Sequence, residues 1–257
     1  MRGECAGTAL APSAGGAPTI CGVHDGRDMM RFRDLTLAEF VARLASPEPV
    51  PGGGSAAAVA ASLGAALVAM VASLSLGREK YAQHALNLED GVGTGHRLAS
   101  RFLELAEEDA LAYARFSAAM KLPRETDALR EVRARQIADA ARRAAEVPLD
   151  TLRACLQMVA AAERLAGRSN VNAASDLAVA ALLADAAAHA AGANVLVNLP
   201  MIDDLEWTAN AARTVIELQA AVEDIARMTR ETVGSREVRR PIDPASGEAM
   251  EVGDDRG

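Results

Sequence analysis

One carboxylate interrupts an otherwise apolar helical stripe. At about 100° per residue, Phe102, Leu105, Ala106, Ala112, Tyr113, Phe116 and Met120 fall within about 60° of Asp109. Glu104, Glu107 and Glu108 fall on the opposite, polar side. A carboxylate kept among apolar neighbours without a cation has its pKa raised by desolvation, which suits it to general acid or base work. The competing reading is structural: a buried Asp that caps a neighbouring helix or pairs with an arginine.

Other residues could line a site around such an acid. Pro51 is followed by Gly52, Gly53, Gly54 and Ser55, a glycine-rich turn opening a helix. Its backbone N–H groups and the positive helix end could hold an anion, or the turn is a plain cap with Ser55 as the N-cap residue. It matches neither a P-loop, since no Lys follows, nor a strand-associated dinucleotide turn. Asn170, Asn172, Ser175 and Asp176 form a second polar cluster ahead of a very apolar stretch. Ser175 or Asn172 could cap that helix, while Asp176 aligns with Val179, Ala180, Leu183 and Ala187 and so points inward. Asp185 lies on the other side, four residues before His189, as surface support. Asn194 and Asn198 flank Val195, Leu196 and Val197, and are expected to bind backbone rather than ligand. Lys80 and Lys121 could meet an anion, although an isolated lysine is most often simply solvated.

The elements that must position these groups read as helices. Leu37, Phe40, Val41 and Leu44 repeat at helical spacing, and Pro47 stops that helix. Ser55–Gly77 carries no charge, and 9 of its 23 residues are alanine. It is long enough to cross a membrane, but its alanines and serines suit a helix buried on all sides by protein, and no comparable second span is expected. A break around Gly91–Gly95 precedes a helix from His96 to Met120. Glu125 to Val147 forms another with a charged outer face, and Pro148 starts the next, running to Ala166. A strongly apolar helix follows Asn172 and ends near Ala191, Asn194–Leu199 is a short extended piece, and Asp203–Thr232 is the last helix. The fold class is therefore all-α: one helical bundle around a buried Ala-rich central helix. It occupies residues 31–234, between flexible tails at 1–30 and 235–257, with Met29 or Met30 a possible start.

Composition removes several function classes. Lys and Arg total 27 against 35 Asp and Glu, for a net charge of −8, so nucleic-acid binding through phosphate neutralisation is not expected. Three scattered cysteines and four dispersed histidines give neither a disulfide framework nor a metal-ligand spacing. Cys155 reads as a small buried filler. No apolar leader opens the chain, so a cytoplasmic protein without metal, membrane or nucleic acid is the expectation.

Several of these segments, in order, resemble the formimidoyltetrahydrofolate cyclodeaminase / methenyltetrahydrofolate cyclohydrolase family. The resemblance rests on Ala45-Ser46 through Pro51–Ser55, Glu108-Asp109-Ala110 with Tyr113, and Lys121-Leu122-Pro123. It continues through Val147-Pro148-Leu149, Asn170 with Ser175-Asp176, and Asn194 to Leu199, and it spans about Phe32 to Arg230. It implies a homodimer of all-helical subunits binding a tetrahydrofolate one-carbon derivative in clefts near the subunit interface, with no cofactor beyond that substrate. Asp109 matches the family's proposed catalytic aspartate. Gly52, Gly53, Gly54, Ser55, Lys121, Asn170, Ser175, Asp176 and Asn194 are carried over as substrate-binding residues. Ser169 departs from the family's usual glycine before the asparagine. The activity implied is hydrolysis of 5,10-methenyltetrahydrofolate to 10-formyltetrahydrofolate, cyclisation of 5-formimidoyltetrahydrofolate with ammonia release, or both. The sequence given carries no transferase domain, which leans the reading to the hydrolase or to dual activity. A non-catalytic helical folate-binding or interaction module is the alternative.

Overall fold

The computed structural model describes residues 31–235; the tails expected at 1–30 and beyond Ser235, with Met29, Met30, Cys5 and Cys21, lie outside the described residues. Six α-helices follow one another: α1 (Leu37–Leu44), α2 (Gly53–Ser75), α3 (Ala85–Met120), α4 (Asp127–Leu165), α5 (Ala174–Asn198) and α6 (Leu205–Ser235). Short 3-10 turns stand at Phe32–Asp34, Glu79–His84, Val171–Ala173 and Leu199–Met201, and no strand occurs among the described residues. Helix α1 opens with a capping box. Thr36 accepts from the Glu39 N–H, and the Glu39 carboxylate accepts from the Thr36 N–H at 2.7 Å.

Helices α2 to α5 form an up-and-down four-helix bundle in which each packs antiparallel on the next and α5 closes back on α2, while α6 lies along α4 and α5. Tie points show the register: Ser62 Oγ donates to the Ala99 carbonyl at 2.8 Å, and Arg164 pairs with Asp90 at 2.7 Å. The centre is filled by Phe102, Leu98, Leu152, Met158 and Leu177 among many alanines. Cys155 is fully buried there as expected, its thiol pushed up to about 12 by burial.

Four sequence-based expectations are corrected. First, α3 runs unbroken through Gly91 and Gly95, because these glycines face α2 rather than end a helix. A Cβ on Gly95 would lie 2.6 Å from the Ala69 backbone nitrogen, so the two helices meet closer than any side chain permits. Second, Pro148 sits inside α4 instead of starting a helix. Third, Asn194–Asn198 is the last turn of α5, not an extended piece. Fourth, a second stretch, Val171–Met201, is also apolar enough to cross a membrane, with mean hydropathy 1.4 against 2.1 for α2. Both are core helices of the bundle, each with roughly half of its apolar window packed inside.

The Ser169 departure leaves its turn intact. Gly167, at φ 74°, takes the left-handed position, and Ser169 donates its hydroxyl to the Leu165 carbonyl at 2.9 Å.

Candidate active site

Asp109 lies on α3 where the stripe passes from core to surface. Phe102, Leu105 and Ala106 before it are buried, whereas Tyr113 and Met120 after it are exposed. The carboxylate is partly buried against the first turn of α2. Ser55, at the third position of that helix, is fully buried, and its hydroxyl lies 3.0 Å from both Asp109 Oδ2 and the Ala106 carbonyl oxygen. The Ser55 backbone N–H, a helix-end amide with no partner in its own helix, also donates to the carboxylate. Burial pushes the Asp109 carboxyl above its ordinary range, and the two Ser55 hydrogen bonds oppose this by favouring the ionised form. The N-cap of α2 is Gly52, so Ser55 is not the capping residue. Its side chain is turned to the acid instead.

Gly54 makes this contact possible. A Cβ there would stand 2.6 Å from Asp109 Cγ, so only glycine lets the carboxylate rest on the helix end. The neighbouring glutamates are occupied elsewhere, as their polar side of the helix implies. Glu108 pairs with Arg101 at 2.6 Å and Arg143 at 2.8 Å, and Glu107 with Arg33 at 3.4 Å. Among the described residues no arginine pairs with Asp109.

The acid faces a cleft of about 350 Å³. Gly52, Gly53 and Gly54 form one wall, Tyr113 and Phe116 another, and Ala144, Asn194, Val197, Asn198 and Met201 the far side. Pro49 and Val50, ahead of the cis Val50–Pro51 bond, complete the rim. The far side is set by Pro148. Having no N–H, proline leaves the Ala144 carbonyl without its helical donor, and Asn198 Nδ2 supplies one at 3.2 Å. The same amide donates to the Asn194 carbonyl at 2.8 Å, and Asn194 Nδ2 donates to the Ala190 carbonyl at 2.8 Å. Both asparagines thus bind backbone through nitrogen while lining the cleft.

The site residues named from sequence divide into two groups. Gly52, Gly53, Gly54, Ser55, Asn194 and Asp109 come together. Lys121, Asn170, Ser175 and Asp176 do not line this cleft. Lys121 is the exposed residue after α3. Asn170 caps the turn Val171–Ala173, accepting from the Asn172 N–H, and donates its own N–H to Ser75 Oγ at 2.7 Å. It therefore sits at the opposite end of α2, about 33 Å away along a 23-residue helix. Ser175 is exposed and Asp176 half-buried in the first turn of α5, which Asn172 and Ser175 do not cap: its N-cap is Ala173. Asp185, half-buried rather than on the surface as expected, pairs with the exposed His189 at 3.4 Å, and Lys80 lies over the Tyr81 ring. Tyr113, Phe116 and Asn198 also line the cleft, although the resemblance does not carry them over as substrate-binding. Their signal was the helical register itself, four and seven residues after Asp109 and four after Asn194.

The arrangement defines a helical-bundle protein with a lone, partly buried carboxylate on a helix end, in an apolar-walled cleft. Among the described residues no group of three or more His, Cys, Asp or Glu is placed to hold a metal. The model of the formiminotransferase-cyclodeaminase family matches residues 36–217. A methenyltetrahydrofolate cyclohydrolase of Methylorubrum extorquens is 34% identical over 201 residues, covering 78% of this chain and 97% of that protein. The formimidoyltransferase-cyclodeaminase of Mus musculus is 33% identical over 219 residues, 85% of this chain but 40% of that longer protein. The crystal structure of formiminotetrahydrofolate cyclodeaminase from Thermotoga maritima superposes with a TM-score of 0.72 at 27% identity, over 79% of this chain and 98% of that one. The chain belongs to the formiminotransferase-cyclodeaminase family.

Proposed function

We propose that this protein is a folate one-carbon enzyme that hydrolyses 5,10-methenyltetrahydrofolate to 10-formyltetrahydrofolate, cyclises 5-formimidoyltetrahydrofolate to the methenyl compound with loss of ammonia, or does both. The reading rests on one observation: a partly desolvated carboxylate, Asp109, held at a helix N-terminus inside a cleft. The substrate is a tetrahydrofolate derivative, and the protein's own side chains carry the proton transfers without a further cofactor.

In the hydrolysis, water adds to the cationic methenyl carbon and Asp109 takes one of its protons. The adduct then collapses to a formyl group as the bond from carbon to N5 breaks. Asp109 returns its proton to N5, and the hydroxyl proton leaves to solvent. In the cyclisation, N10 attacks the carbon of the protonated formimidoyl group, Asp109 accepts the N10 proton, and that proton goes to the departing amino nitrogen, which leaves as ammonia and yields the methenyl cation. Both reactions pass a proton across one bridging carbon and keep positive charge near it, which a carboxylate stabilises. Burial favours the proton-bearing form of Asp109, while the Ser55 hydrogen bonds favour its ionised form and orient it. Tyr113 and Phe116 offer ring faces to a flat pterin, and the oxygens of Asn194 and Asn198 remain free to accept from its N–H groups. The working unit is a cytoplasmic homodimer, supported by an apolar helix face that a single copy leaves uncovered.

The test is direct. Purified protein is added to methenyltetrahydrofolate, and loss of its near-ultraviolet absorbance is followed above the spontaneous rate. Ammonia release is measured in parallel from the formimidoyl substrate. Asp109→Asn is expected to fold normally and to lose at least about 100-fold in turnover. Near-normal turnover by that variant removes Asp109 from the mechanism. Absence of both activities in the unaltered protein leaves the folate-binding or interaction module.

A further inference from the structure

The far wall of the cleft is apolar in Ala144, Val197 and Met201, yet two amide side chains, Asn194 and Asn198, stand in it. They are not equivalent. Asn194 commits one amide hydrogen, to the Ala190 carbonyl at 2.8 Å, and keeps the other. Asn198 commits both: its Nδ2 lies 2.8 Å from the Asn194 carbonyl oxygen and 3.2 Å from that of Ala144. A side-chain amide has two hydrogens, so Asn198 has no donor left for a ligand. Nor can it turn over, because the turned amide would set its oxygen against two carbonyl oxygens.

What remains to Asn198 is Oδ1, which accepts from no described residue. Among the described residues, the buried side-chain polar atoms without a hydrogen-bond partner are Arg133 Nε, Asp185 Oδ1 and Thr232 Oγ1. Asn198 Oδ1 is not one of them, so it is open to the cleft that its side chain lines. One of the two ties that hold it depends on a residue outside the cleft. Pro148 lies inside α4 and has no N–H for the Ala144 carbonyl four residues before it. An alanine at that position would satisfy the carbonyl within the helix and release the Asn198 amide from α4. The proline thereby turns an asparagine able to donate or accept into an acceptor of fixed direction.

A tetrahydrofolate derivative has something for such an acceptor. With the bridging carbon at Asp109, the pyrimidine half of the ring system extends away from the acid toward the opposite wall. One edge of that ring carries an exocyclic amino group beside a ring N–H, both donors, and the next position carries a carbonyl oxygen. An oxygen fixed in an apolar wall favours the donor edge and rejects a ring turned to present its carbonyl. We propose that Asn198 is a specificity-determining residue of this cleft, its Oδ1 held by the gap at Pro148 as the acceptor for the 2-amino group of the substrate. Pro148 is a positioning residue that acts through it. The assignment takes the folate reading of the cleft as its basis.

The test compares two ligands on one protein. Values of kcat/KM are measured on whichever of the methenyl and formimidoyl substrates is turned over, and on the same compound with methyl in place of the 2-amino group. The methyl group fills the space of the amine but cannot donate. The unaltered protein is expected to prefer the parent compound at least about 10-fold, the cost of covering an acceptor and leaving it unpaired. Asn198→Ala is expected to lose about 10-fold on the parent and little on the analogue, so the preference falls to near unity. Pro148→Ala, remote from the ligand, frees the amide to turn and is expected to give a preference between those two. A general loss of stability lowers both compounds alike and does not move the ratio. Should Asn198→Ala fail to fold, the double variant with Pro148→Ala restores the Ala144 hydrogen bond through the helix and takes its place. Equal turnover of parent and analogue by the unaltered protein overturns the proposal and leaves the folate reading standing. So does a preference that survives removal of the Asn198 side chain. Turnover of neither substrate overturns both.

Discussion

Replacing Gly54 by alanine tests the site without touching the acid. A Cβ at that position would come within 2.6 Å of Asp109 Cγ and 2.7 Å of Oδ2. Carbon atoms in contact rest about 3.5–4.0 Å apart, so the carboxylate must retreat by about 1 Å or change rotamer. It cannot do either and keep the Ser55 hydroxyl at 3.0 Å. A reacting group displaced by about 1 Å costs about 100-fold in rate, equivalent to about 2.7 kcal/mol of barrier. Stability should move far less. Alanine favours a helix over glycine by up to about 1 kcal/mol, which offsets roughly one lost hydrogen bond of about the same size. The control is Gly93→Ala on α3, where a Cβ meets nothing within 4 Å and the position is remote from the cleft. Kinetics of both variants, with thermal melts, are expected to show Gly54→Ala reduced about 100-fold in kcat and Gly93→Ala unchanged. A Gly54→Ala protein with normal melt and normal kcat would show that catalysis does not depend on the carboxylate resting on that helix end.

Gly95→Ala forces a Cβ against the Ala69 backbone, which cannot rotate away, and is expected to lower the denaturant midpoint by the equivalent of about 1–3 kcal/mol; an unchanged midpoint would refute the close α2–α3 contact. Pro148→Ala restores an N–H able to reach the Ala144 carbonyl, so Asn198→Ala should cost about 1 kcal/mol less in that background than alone. Strict additivity in this double-mutant cycle would deny the link between the proline and the asparagine. The raised Asp109 carboxyl also fixes a sign for stability against pH. The native state holds this proton to higher pH than the unfolded chain, so its contribution is complete below the ordinary Asp value near 3.9 and is lost as pH rises through the raised one. Asp109→Asn is therefore expected to be more stable than the unaltered protein at pH 7 and to lose that advantage near pH 3. Denaturation curves at both values check this, and an advantage that grows in acid contradicts it.

What could be read from sequence was whatever depends on a single helix. The inward register of Asp109 and the charge-free core helix follow from 3.6-residue periodicity and recur in the structure, whereas Glu107 and Glu108 are half-buried and paired with Arg33, Arg101 and Arg143 rather than spread over solvent. What was misread depends on a second helix. Gly91 and Gly95 signal a break by local propensity, but the approach of α2 gives them a packing role that overrides it. Pro148 looks like a helix start because its missing N–H is harmless there, and only the Asn198 amide, 50 residues onward, shows how an interior position tolerates it. Asn170, Ser175 and Asp176 were grouped with Asp109 by family pattern, and pattern carries no distance. The length of α2 separates them within one chain.

The structural reading of Asp109, a cap, and the proposed one, a catalytic acid, call on one contact, that with Ser55. As a cap it satisfies the orphan amide of Ser55, and that bond restrains its rotamer and favours its ionised form. As an acid it needs some of the opposite: a shift toward the proton-bearing form, which burial beside Phe116 and the Gly52–Gly54 wall supplies. The two influences oppose one another: burial favours the proton-bearing form and the Ser55 hydrogen bonds favour the ionised one. The capping interaction therefore does not compete with the catalytic assignment. It sets how far desolvation is allowed to go.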